Sequence, residues 1–154
     1  MGDSIDKKVL LKLLKKSLLY RLMDNIDDLI SMAELTHREV SNRAGKTNNW
    51  FNDAYNNNED IYISNFISVL SVIDQQYKLK DYKLMDIFTE KILSISSLIS
   101  RVHDEEDDYV KQLIIEEKKL FLDILGDLAS MEYRNKLTDK EKEIMKQVRS
   151  LIVS

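Results

Sequence analysis

Apolar residues recur along most of this chain at intervals of three and four, the spacing of one face of an α-helix. Ile5, Val9, Leu10, Leu13, Leu14 and Leu18 form the first stripe, with Ser4 placed to cap it and an end expected near Arg21. Leu22, Ile26, Leu29, Ile30 and Ala33 continue the rhythm. No Gly or Pro separates the two stripes, so the pattern also admits one long helix.

Two short elements follow. Thr36 and Glu39 have the T-x-x-E spacing of a capping box, and Leu35 with Val40 fits a hydrophobic staple around it. That helix is expected to stop at Gly45, a residue suited to a left-handed C-terminal cap. Thr47 is placed to cap the next helix, which is expected to run to about Tyr55. Asn56 to Asp60 (N-N-N-E-D) reads as a loop, and Ser64 as the cap of a fourth helix carrying Phe66, Ile67, Val69, Leu70 and Ile73. From Lys80 the stripes lengthen. One helix is expected over about 81–102 and a second over about 108–133, separated by the polar run His103 to Asp108. Thr138 and Glu141 form another capping box, opening a last helix with Ile144, Val148, Leu151 and Ile152.

Composition narrows the picture. The chain has 154 residues, no Cys, no Pro and three Gly. Without turn residues a β-rich fold is excluded, and without Cys there are no disulfides, thiolate metal sites or cysteine nucleophiles. The expected fold is all-α: a central domain over 22–77, preceded by a basic amphipathic helix over 1–21. Over 78–154 follows a bundle of two or three long helices. The lysines at 12, 15 and 16 break the apolar core that a signal peptide needs, and no run approaches membrane-spanning length, so a cytoplasmic protein is expected. The same Lys/Leu helix can pack with a solvated basic face, support contact with DNA, or lie on a membrane; packing is the ordinary outcome and no membrane role is expected.

Residues 35–51, L-T-H-R-E-V-S-N-R-A-G-K-T-N-N-W-F, have the pattern of two capped helices joined by a glycine turn. Over about 22–76 the chain resembles the Cro/C1-type (lambda-repressor-like) helix-turn-helix domain. Leu35-Thr36 stands where that family has a hydrophobic residue before a capping Ser or Thr. Val40, Ala44, Phe51 and Ala54 stand at its buried positions and Gly45 at its turn. Asn56-Asn57-Asn58 replaces the polar loop after the recognition helix. Three positions depart from the pattern: Ser41 for the usual small Ala, Lys46 for an aliphatic, and His37 for a frequent Gln.

The resemblance implies contact with double-stranded DNA. Thr47, Asn48, Asn49 and Asn52 would face the major groove, where Asn pairs with adenine through two hydrogen bonds, and the helix N-terminus with Thr47 would take a phosphate. Arg38, Arg43 and Lys46 would hold the backbone, and His37 would touch phosphate. A dimer through the C-terminal helices, rich in Ile and Leu and short of partners, would match a palindromic site.

Charge keeps a second reading open. The whole chain carries −4, and residues 22–77 hold three basic side chains against nine acidic ones. Phosphate neutralisation supplies much of the affinity for DNA. The expectation is therefore a sequence-specific regulator of repressor type, of the kind mobile elements carry, with charge supplied by dimerisation or by the Lys-rich first helix. The alternative is an acidic helix-turn-helix module that binds a protein, as an anti-repressor or an inhibitor of a nucleic-acid enzyme. Trp50 reads either as the edge of the core or as an exposed anchor for such a partner. Asp104 to Asp108 reads as a solvated acidic corner, because consecutive acids on a helix diverge and the calcium-loop spacing is absent. No nucleophile elbow, phosphate loop, zinc motif or Glu-x-x-His pair is present, so no enzyme, metal or cofactor is expected.

Overall fold

The structure, a computed structural model, describes residues 4–76 and 86–153. Among them the regular elements are helices: α1 (Lys7–Met32), α2 (His37–Arg43), α3 (Trp50–Asn56), α4 (Ile63–Asp74), α5 (Glu90–Asp104), α6 (Val110–Glu116), α7 (Lys118–Tyr133) and α8 (Asp139–Val153). Leu84, expected to line the first long C-terminal helix, lies outside the described residues.

The first two stripes are one helix of 26 residues. Asp6, not Ser4, caps it: its Oδ1 accepts the backbone N–H of Lys8 (3.1 Å) and of Val9 (3.3 Å). The chain divides into two compact units, Leu19–Thr89 and Met1–Leu18 with Glu90–Ser154, so α1 contributes to both. Its buried positions are Leu10, Leu13, Leu14 and Ser17 in the one unit and Met23, Ile26, Ile30 and Ala33 in the other.

Helix ends are set by backbone geometry more than by glycine. The end of α2 is a Schellman motif, with Gly45 at φ 78°. There the N–H of Lys46 bonds to the carbonyl of Ser41 (2.8 Å) and that of Gly45 to Asn42 (3.1 Å). The same two-bond pattern closes α1 at Glu34, α3 at Asn58 and α7 at Asn135, all with positive φ. Asn tolerates this region because its short polar side chain bonds locally; Glu is an uncommon occupant of it.

Several expected boundaries move. α4 begins at Ile63 with Tyr62 before it, so Ser64 lies inside the first turn rather than at the cap. α5 starts at Glu90, while Ile87 and Phe88 join the core of the Leu19–Thr89 unit. The acidic run ends α5 and forms a short 3-10 turn at Asp107–Tyr109, and its Asp side chains are exposed. The helix expected over 108–133 breaks at Glu117, whose ψ is 33°. A continuous stripe would turn Glu117 and Lys118 inward between Ile114 and Phe121. The break lets Glu117 pair instead with Arg101 of α5, at 2.5 Å.

In the unit formed by Met1–Leu18 and Glu90–Ser154, the core is filled from within. Leu10, Leu13 and Leu14 are buried in it with Ile95, Leu98, Phe121, Leu128 and Val148. The C-terminal helices are thus not short of partners, because the first half of α1 supplies one. Leu10, Leu13 and Leu14 of α1 are taken up in this core, and Leu11 and Leu18 are half-buried. No helix among the described residues is long and apolar enough to cross a membrane. Two α1 lysines bind backbone carbonyls just beyond helix ends. Lys7 Nζ donates to the carbonyl of Glu105 (2.7 Å) and Lys16 Nζ to that of Lys136 (3.0 Å). Lys16 also pairs with Glu141 (2.7 Å), the acid of the second capping box, in which Thr138 N–H donates to Glu141 Oε1 (2.8 Å). Burial raises the pKa of Glu141, but hydrogen bonds from Lys16 and Thr138, with the Lys16 charge, win and hold it below the usual carboxyl value.

Candidate nucleic-acid interface

The capping box opens α2 as the spacing predicts. Thr36 Oγ1 accepts the Glu39 N–H (3.1 Å), and Thr36 N–H donates to Glu39 Oε1 (3.2 Å). Leu35 and Val40, the two halves of the staple, are both buried. With Phe51 and Ala54 of α3, Val69 and Ile73 of α4, and Ile26 and Ile30 of α1, they form one core. Val40, Phe51 and Ala54 thus lie where the family resemblance expects buried residues; Ala44 is partly buried against the same core.

The join between α2 and α3 is made by Ser41. Its hydroxyl donates to the carbonyl of His37 (2.9 Å) and accepts the N–H of Phe51 (2.9 Å). The first N–H groups of a helix have no partner within it. Thr47 does not fill that role: α3 begins three residues later, at Trp50, and has no side-chain cap. A hydroxyl from the neighbouring helix does the work instead. The departure at position 41 is therefore a structural device.

The residues expected to meet DNA lie on α2, the turn after it and α3. Thr47, Asn48, Asn49 and Asn52 are exposed, as are Arg38 and Arg43. Thr47 sits in the turn before α3, where its carbonyl accepts the Trp50 N–H (3.1 Å). Lys46 is half-buried, with its ammonium 5.6 Å from the centre of the Trp50 ring. Arg43 donates through Nη2 to Oε1 of Gln75, the residue that follows α4 (3.0 Å). Trp50 is half-buried and packs on the core edge.

His37, expected to touch phosphate, is engaged within the domain. Its Nε2 bonds to Asp27 Oδ1 of α1, and its Nδ1 lies 3.1 Å from Asn52 Oδ1 of α3. The ring meets Phe51 and Tyr55 edge-on at 4.9 and 5.4 Å. Tyr55 in turn donates to Asp24 (2.9 Å). Asp24 and Asp27 are thereby drawn toward α2 and α3, and beside them Asp28 has a raised pKa, from desolvation first and then repulsion by Asp24 and Asp27. These contacts join residues ten to thirty-one apart on three helices, and no local spacing in the sequence signals them.

Among the described residues no cluster of His, Asp and Glu is arranged to hold a metal ion. No protein-family model matches the chain, and neither a curated protein nor a solved structure matches it.

Proposed function

We propose that this chain is a sequence-specific DNA-binding regulator of repressor type, with α3 and the turn before it as the reading element. The observation that carries this reading is the exposed group Thr47, Asn48, Asn49 and Asn52, presented by a helix pair whose turn is fixed by Gly45 and Ser41. Asn side chains at such a position suit the paired acceptor and donor of adenine. Arg38, Arg43 and Lys46 serve as backbone contacts that position rather than specify.

With so few cations, one copy would bind weakly, and a homodimer on a palindromic site is the proposed working form. Its contact is proposed on apolar side chains that α5, α6 and α7 leave exposed, Leu93, Ile115 and Leu122. The protein should retard DNA from its own locus with a steep salt dependence. Replacing Asn48, Asn49 and Asn52 together by Ala should abolish retardation without loss of helicity. If wild-type protein retards no fragment even at low salt, and random-sequence DNA yields no selected site, this reading is lost.

A second reading is favoured by one observation, the concentration of Asp24, Asp27 and Asp28 on the helix that packs behind α2 and α3. On that reading the acidic domain occupies a basic surface of a protein partner, such as the DNA channel of a nucleic-acid enzyme. The two readings separate on the Asn triple variant, which removes no charge: it abolishes the first activity and spares the second.

A further inference from the structure

We propose that His37 sets which way the Asn52 side-chain amide faces, and so which base edge α3 reads, according to whether its ring carries one proton or two. The inference rests on the reading of α3 as a base-contacting helix and adds a control to it.

An ionised carboxylate only accepts hydrogen bonds, so the His37 nitrogen facing Asp27, Nε2, keeps its proton in both ring forms. The change of state therefore falls on Nδ1, 3.1 Å from Asn52 Oδ1. In the doubly protonated ring, Nδ1–H donates to that oxygen and the Asn52 NH2 is turned away, as a donor. In the singly protonated ring, Nδ1 presents a lone pair. Two acceptors then face each other, and the contact is restored when the Asn52 amide turns over and donates from its NH2. The amide oxygen now points away, as an acceptor.

The imidazole cannot move instead. Phe51 and Tyr55 hold it edge-on, and Tyr55 is itself held by Asp24. Asn52 is exposed, so its amide is the partner that turns. The ionisable groups around this arrangement are Asp27 with Asp24 and Asp28 on α1, Tyr55 and Asp53 on α3, and Arg38 and Glu39 on α2. An outward donor suits N7 and O6 of guanine; an outward acceptor suits the amino groups of adenine and cytosine.

The test uses the whole chain, first without DNA. Nitrogen-detected NMR of the His37 ring across about pH 5 to 8 should show the neutral ring protonated at Nε2. The Asn52 side-chain NH2 signals should move with the same midpoint as the ring. A neutral ring protonated at Nδ1, or Asn52 signals that ignore the ring, would overturn the inference. Selection from random DNA at the two ends of that range should then change the preferred base at one position by about tenfold. An unchanged preference overturns the inference while leaving DNA binding intact. Absence of any DNA selection, with the NMR coupling present, overturns the DNA reading and the base-reading half of the inference, and leaves only the proton-coupled amide.

Discussion

Replacing Ser41 with Ala removes one oxygen and leaves the volume almost unchanged, yet it should destabilise the Leu19–Thr89 unit measurably. The Phe51 N–H is the second of α3 and lies in the core, where Phe51 is 0% exposed. Its partner at 2.9 Å is the Ser41 hydroxyl. Without it, the helix itself offers no acceptor. An orphaned buried donor costs about 1–3 kcal/mol. Ala is a better helix former than Ser by a few tenths of a kcal/mol, which offsets part of that. The expected net loss is about 1–2 kcal/mol, a five- to thirty-fold change in the local opening equilibrium. Amide hydrogen exchange resolved by residue is the suitable assay, because the chain has two units and a global melt averages them. The Phe51 amide should exchange about five- to thirty-fold faster in S41A, with amides of α7 and α8 unchanged. Wild-type exchange at Phe51 would refute the claim that Ser41 supplies the missing cap of α3.

Three further outcomes follow from the same contacts. Glu141→Gln keeps the capping box but loses the charge paired with Lys16, and urea unfolding should show a loss of about 1–2 kcal/mol at neutral pH. Because the folded pKa of Glu141 lies below its ordinary value of 4.5, this contribution is complete above that value and is lost as pH falls through the folded pKa. Wild type and variant should therefore converge in acid. Asp28 runs the other way: its pKa is raised above 3.8, so its ionised form costs stability. Asp28→Asn should raise the unfolding midpoint at neutral pH, with the gain fading as pH falls toward 3.8. Glu34→Gly, at φ 59°, should stabilise the end of α1 by about 0.5–1 kcal/mol, read as a higher thermal midpoint; a lower one would show that the strain is not there.

What was legible in the sequence was whatever depends on near neighbours. The capping boxes at Thr36 and Thr138 and the turn at Gly45 form as spaced. Val40, Phe51 and Ala54 are buried, at positions where the resemblance implies buried residues. Thr47 and Ser64 misled because a hydroxyl before an apolar run looks like a cap wherever it stands. At α3 the donor is satisfied from position 41, ten residues away, and nothing local reports it. The break at Glu117 has no Gly or Pro to announce it. It is visible only as two charged residues at inward positions of a stripe, one of which finds Arg101. His37 at the first position of α2 pointed outward on paper, but Asp27, from a different helix, holds the ring. The poverty of positive charge was legible at once, since it needs only counting.

Trp50 gives this protein an optical handle. It is the single indole in the chain, and it stands at the first turn of α3 with Lys46 over its ring and Asn49 beside it. Whatever docks against Thr47 to Asn52 must alter the surroundings of that ring. Occupancy can be followed as a change in the colour or brightness of its emission, without a dye or a tag. The same light also sorts the partner: stacked bases tend to quench an indole, whereas an apolar protein surface shifts it to the blue.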